Sequence, residues 1–208
     1  MLNLPNIMGD EDFSLESLKA TKRNAQAFFY LVQSNADSLD KYFFGLSQEI
    51  YDEERALRYL EQMQHMRHLG KMCYFIKKSG QIIGEIDCLE EGPKGAVIDY
   101  WIDKNFRRQH LTSTALRLVE KHVFETGQYD FIALNIDPMN VASVGLALKN
   151  GYRSTTAMDA FIFCFEKTVQ MYHQEQQGQA PQFIGTHQDF IENKIYEARL
   201  GSVNYTRF

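Results

Sequence analysis

The segment Phe106-Arg107-Arg108-Gln109-His110-Leu111-Thr112 holds the densest chemistry in the chain. It stands between a stretch that reads as a strand, Ala96 to Ile102, and one that reads as a helix. The first turn of a helix has N–H groups without intrahelical partners and the positive end of the dipole, so it can hold a phosphate. Arg107 and Arg108 sit where their guanidinium groups would add charge-assisted contacts. A solvated basic turn is the plain alternative. Asp99 and Glu85, both on strand-like stretches, read by themselves as ordinary surface carboxylates. His65 and His68, with Cys73 close behind, have a spacing that suits zinc, but no fourth ligand suggests itself and no metal site is expected.

These groups need a frame. Ala25, Phe28, Phe29 and Val32 fall on one side of a first helix, and Ala56, Leu57, Leu60, Met63 and Met66 form the stripe of a second. Asp52, Glu53 and Glu54 suit the positive end of that second helix, and Gly70 is its stop. Cys73 to Lys77 and Gln81 to Leu89 flank Lys78-Ser79-Gly80, which reads as a hairpin turn. A further turn at 91–95 leads to the strand Ala96 to Ile102. After the basic loop, Ala115, Leu116, Val119, Val123 and Phe124 line a helix. Phe131 to Ile136 reads as a strand, Val141 to Lys149 as a short helix, and 152–156 and 161–166 as a closing strand pair. The class is α/β, with antiparallel hairpins first and crossovers later.

The chain has 208 residues, of which 44% are hydrophobic and 13% aromatic, which suits one folded domain. Lys+Arg is 22 against Asp+Glu 27, a net charge of −5, so general nucleic-acid or anionic-membrane binding is not expected. Three scattered cysteines argue for a reducing compartment. With no long apolar run and no signal peptide, a cytoplasmic location is the default. A glutamine-rich segment, Gln170 to Gln182, reads as a linker or a frayed helix end. It divides a body, 1–169, from an extension, 170–208, whose Phe190, Ile191, Ile195 and Leu200 are expected to cover the body or a dimer mate.

Several stretches resemble the acetyl-CoA-binding core of the GNAT N-acetyltransferases, and within them the RimL/RimJ type. They are Asp99-Tyr100-Trp101-Ile102-Asp103, the loop 106–112, Ala115-Leu116, and Asn140-Val-Ala-Ser143 followed by Ala147-Leu-Lys149-Asn-Gly151-Tyr152. Ile83-Gly84-Glu85-Ile86 and the region 35–43 agree with them. The resemblance implies a mixed, mostly antiparallel sheet, flanked by helices and split between the family's fourth and fifth strands, here 96–102 and 131–136. It implies acetyl-CoA as co-substrate and a primary amine, a protein N-terminus or a small amine, as acceptor. Strand residues Trp101 and Ile102 would meet the pantetheine arm through their backbone. Arg107, Arg108, Gln109, His110, Leu111 and Thr112 would hold the pyrophosphate, Asn140 the arm, and Ser143 would lie near the sulfur and protonate the thiolate.

The sequence departs from the family at three places. Arg108 and His110 replace the loop's two glycines, and glycine alone permits positive φ freely. Either their side chains take over phosphate contact or the loop no longer cradles CoA, which would leave a catalytically weakened binding module. Ala147 stands where many relatives carry a tyrosine. Asn135 stands where a base is often found, leaving Asp99, Glu85 and Asp159 as candidates to act through water, or as ordinary surface carboxylates.

Overall fold

Two strands precede the first helix, β1 (Ile7–Gly9) and β2 (Phe13–Ser17), in a stretch where the sequence reading places no element. They are too short for alternation to declare them. Their register is fixed from outside, by pairing of Phe13 to Ser17 against Lys78 to Tyr74. The computed structural model describes residues 2–43, 45–155 and 162–179. Asp159 and the segment 183–208 lie outside them.

Helices α1 (Lys22–Ser34), α2 (Ala36–Tyr42), α3 (Leu46–Glu49) and α4 (Glu53–Met66) follow. Asp52 caps α4, accepting from the Arg55 amide, and Gly70 closes the turn beyond it at φ 84°. Next come β3 (Lys71–Lys78) and β4 (Gln81–Glu91), joined through Ser79 and Gly80, both at positive φ as a tight hairpin requires. Strand β5 (Gly95–Ile102) and helix α5 (Leu111–Glu125) lead to β6 (Phe131–Ile136) and α6 (Val141–Lys149). The chain then forms β7 (Arg153–Ser154), β8 (Phe163–Thr168) and α7 (Val169–Gln176). The glutamine-rich segment therefore begins as a helix, and its Tyr172 is buried in the main core.

Among the described residues the strands form one eight-stranded sheet in the order β1-β2-β3-β4-β5-β6-β8-β7. Every pairing is antiparallel except β5 with β6, which α5 connects as a crossover. Each face carries its own core. Leu116, Val119 and Val123 of α5 and Val144 of α6 lie with Ile98, Ile132 and Leu134 on one face. Phe28, Leu60, Phe75 and Trp101 lie together on the other, under α1 and α4. Each such aliphatic side chain contributes about 1.5–3 kcal/mol on burial. Gly84 lets β4 approach β5, since a Cβ there would stand 2.3 Å from the Trp101 carbonyl oxygen.

Candidate active site

The sheet comes apart in its middle. Strands β5 and β6 pair only through Gly95, Ala96 and Val97 against Phe131, Ile132 and Ala133. Beyond Val97, β5 continues paired with β4 alone, as far as Ile102 opposite Gly84. Beyond Ala133, β6 continues paired with β8 alone. Among the described residues, one edge of β5 is thus left with backbone groups free for a ligand running along it. A cleft of about 910 Å³ occupies the opening. Its walls are the end of β5, the loop 106–110 with the first turn of α5, α2, and the segment 139–149. Trp101, Ile102, Arg107, Arg108, Gln109, His110, Leu111, Thr112, Asn140 and Ser143 all line it.

The basic loop enters α5 in an unusual way. Arg108 and His110 both adopt the left-handed conformation, at φ 61° and 60°. For residues with a Cβ this costs about 1–2 kcal/mol each. The loop therefore keeps a glycine-like path without glycine, and strain of this kind is typical of functional sites. His110 occupies the N-cap position of α5 and makes no side-chain cap. Every other described helix of eight or more residues is capped by a side chain: Thr21, Asp52, Asn140 and Thr168 serve α1, α4, α6 and α7. The amides of the first turn of α5 are thus left to the cleft, with the dipole's positive end behind them.

Helix α2 roofs the opening and touches both of its rims. Arg107 Nη2 donates to Ser38 Oγ at 2.8 Å, and Tyr42 Oη donates to the Met139 carbonyl at 3.2 Å. A clasp holds the helix in place. The buried Asn35 accepts from the Lys104 amide at 2.8 Å and donates to the buried Asp103 at 3.3 Å. Across the cleft, the Asn140 side chain accepts from the Ser143 amide, which fixes the first turn of α6. Ser143 lines the cleft together with Tyr100, a residue that sequence reasoning used only as part of a motif. The Tyr100 hydroxyl is buried and has no hydrogen-bond partner among the described residues. Burial pushes its phenol upward, and the Ser143 hydroxyl is the polar neighbour that opposes the shift.

The other two candidate residues lie elsewhere. Strand alternation puts Tyr100 and Ile102 toward the cleft core and sends Trp101 and Asp99 to the opposite face. There the Trp101 indole donates to Glu85 Oε2 at 3.2 Å, and the Tyr59 hydroxyl reaches both carboxylate oxygens at 3.2 Å. What Trp101 gives the cleft is therefore backbone. Glu85 is 3% exposed, and its carboxyl is pushed up to about 8, first by burial and then by Asp87. Asp87 pairs with Lys71 at 2.6 Å and stands opposite Asp99 in the sheet register. Asp99 is exposed, and its carboxyl is raised by desolvation and then by Asp87. The structure thus groups Glu85 and Asp99 with Asp87, an acid that the sequence did not single out, and sets them across the sheet from Ser143. His65 and His68 pack ring to ring at 5.8 Å on the far side, while Cys73 is buried.

Known proteins resemble this chain in sequence and in fold. The model of the acetyltransferase (GNAT) domain matches residues 16–153. The ribosomal-protein-serine acetyltransferase of Escherichia coli (strain K12) is 27% identical over 143 residues, 67% of this chain and 79% of its own. Among solved structures, the ribosomal-protein α-N-acetyltransferase RimL in complex with coenzyme A superposes with a TM-score of 0.70 at 19% identity. That match covers 78% of this chain and 97% of RimL. Mycobacterium smegmatis RimJ, in complex with a CoA disulfide, gives 0.69 at 14% identity over 85% of this chain and 95% of its own. The split sheet, the uncapped helix beside it and the family match over two-thirds of its length agree, and this chain belongs to the GNAT acetyltransferases.

Proposed function

We propose that this acetyltransferase draws its acetyl group from acetyl-CoA lying in the split and delivers it to a primary amine entering from the opposite face. Support for the first half comes from the parting of β5 and β6 beside the uncapped start of α5. The amides of Leu111 and Thr112, with Arg108 and His110 nearby, suit a pyrophosphate. The free edge of β5 suits the amides of a pantetheine arm, which would run toward Asn140 and Ser143. Acetyl-CoA supplies the activated acyl group.

The chain's own residues do three things. Backbone N–H groups on the free edge of β5 stabilise the oxygen that gains charge when the amine attacks. Ser143 donates its hydroxyl proton toward the departing sulfur. Asp99 or Glu85, across the sheet, takes a proton from the acceptor ammonium through water; burial raises both carboxyls, Glu85 to about 8. The acids of that face favour a cationic acceptor, as an amine is before it reacts. Because the matched relatives include a ribosomal-protein-serine acetyltransferase, a protein N-terminus is the first acceptor class to try. The alternative, a binding module without catalysis, has no observation in its favour: the substituted loop keeps its left-handed path.

Titration calorimetry with acetyl-CoA and with CoA tests the first half, and mass spectrometry of a serine-starting peptide after incubation tests the second. Micromolar binding with a gain of one acetyl on the peptide's α-amine is the expected result. No binding at millimolar ligand would overturn the reading. Binding with acetylation of small polyamines alone would move the acceptor to that class.

A further inference from the structure

Asn150 ends α6 and is 3% exposed, yet its carboxamide is engaged at one end only. Nδ2 donates to the Leu146 carbonyl at 2.8 Å and to Ser113 Oγ at 3.1 Å, while Oδ1 has no hydrogen-bond partner among the described residues. The Leu146 carbonyl can only accept, so it fixes which end of the carboxamide turns that way. The second N–H therefore meets Ser113 as a donor. Ser113 lies in the first turn of α5 and lines the cleft, whereas Asn150 does not. A serine hydroxyl has one proton and two acceptor sites. Asn150 fills an acceptor site from behind, and the proton is given to no other group among the described residues.

Asn150 is itself held from the rear. Its amide donates to the carbonyls of Leu146 at 3.0 Å and Ala147 at 3.1 Å, and its carbonyl accepts from the buried Lys167 Nζ at 2.9 Å. Lys167 pairs in turn with Glu120 of α5 at 3.0 Å. Helices α5 and α6 are thus joined twice, at depth through Lys167 and at the cleft through Ser113. Each brings a different part of the site: α5 its uncapped first amides, α6 Asn140 and Ser143. We infer that Asn150 is a positioning residue for the diphosphate of the co-substrate. It fixes the first turn of α5 against α6 and turns the Ser113 proton toward the anion. Donation into a hydroxyl oxygen also strengthens the bond which that hydroxyl makes onward. Asn150 touches no ligand and acts through Ser113. This role rests on the reading of acetyl-CoA in the split.

The test measures CoA and pantetheine by titration calorimetry on the parent, Asn150→Ala, Ser113→Ala and the double variant. Pantetheine lacks the diphosphate, so a loss felt by CoA alone reports on the first turn of α5 rather than on the fold. Asn150→Ala is expected to weaken CoA on the order of 5-fold, the effect of one neutral hydrogen bond, and to leave pantetheine within about 2-fold. The double variant should bind CoA no more weakly than Ser113→Ala alone, as expected for two groups acting as one unit. Equal losses for both ligands overturn the role, because Asn150 would then support the cleft as a whole. Losses that multiply in the double variant overturn it too, since Asn150 would then act independently of Ser113. If Asn150→Ala does not fold, Ser113→Ala, a change at a half-buried position, decides: CoA affinity equal to the parent's overturns the role, and a loss confined to CoA upholds it. A parent that binds neither ligand at millimolar concentration overturns the reading of the split itself, and the role of Asn150 with it.

Discussion

Two glutamates are buried almost equally and kept in opposite ways. Glu120 of α5, 1% exposed, lies behind the cleft against Lys167 Nζ at 3.0 Å. That same ammonium donates to the Asn150 carbonyl at 2.9 Å and pairs with Glu175 of α7 at 2.5 Å, so one cation joins α5, α6, β8 and α7. Glu85, across the sheet from the cleft, makes no hydrogen bond to a cation among the described residues and is held by the Tyr59 hydroxyl and the Trp101 indole. A buried carboxylate with a buried ammonium is a fixed charge pair that braces the fold. A buried carboxyl held by neutral donors stays close to exchanging its proton. The rear of the molecule has its charges matched, although Glu120 Oε1, Asn150 Oδ1 and Tyr152 Oη have no hydrogen-bond partner among the described residues, while the region of the split leaves the first amides of α5 and the edge of β5 open to a ligand.

Substitutions at the rear should therefore cost stability, and those at the split should change binding and turnover. The largest effect is expected from Lys167→Met, which strands Glu120 and should cost about 3–5 kcal/mol. A second change, Glu120→Leu, should restore much of the loss in thermal melts. A Lys167→Met protein that melts like the parent would erase the contrast.

Glu85→Gln should act next most strongly, and through pH. The fold raises this carboxyl from 4.5 to about 8, so it favours the protonated form. The stability it lends is complete below 4.5 and drains away as pH rises through about 8. The variant's Tm should thus gain on the parent by several degrees between pH about 5 and about 8. A pH-independent gap would place Glu85 with the matched charges of the rear.

Replacing Arg107 and Arg108 together by Ala should weaken CoA binding on the order of 10-fold by calorimetry, which corresponds to about 1.4 kcal/mol. Arg107 is already engaged by Ser38, so Ser38→Ala separates its two uses: CoA affinity should hold or rise if the guanidinium turns to the ligand. The smallest effect concerns backbone. His110→Gly should raise stability by about 1 kcal/mol in denaturant titrations, since glycine adopts φ 60° without strain. A loss instead would show that the imidazole holds the loop.

Much of the frame could be read from residues alone. The bounds of β6 and α6 coincide with the expected 131–136 and 141–149 because apolar pattern and stop signals agree there, Asp137-Pro138 on one side and Gly151 on the other. The Ser79-Gly80 hairpin and the basic entry to α5 were legible for the same local reason. What escaped depends on distance along the chain. β1 and β2 exist because β3 offers them a register. Lys167 reads as an ordinary strand lysine until Glu120, 47 residues earlier, is brought beside it. Tyr100 and Ser143 come to one cleft only because α6 lies along the face that β5 alternation gives to the tyrosine. The left-handed turns at Arg108 and His110 contradict local preference, so no local rule would have placed them.

Helix α2 has a mechanical consequence. Through Ser38 it holds the rim at Arg107, and through Tyr42 it holds the rim at Met139, so it works as a tie-bar across the mouth of the wedge. Spreading the wedge would snap both fastenings together, whereas a slender chain drawn lengthwise beneath the bar need break neither. The site is built to be threaded rather than pried open, which suits a cargo carried at the tip of a long, narrow arm.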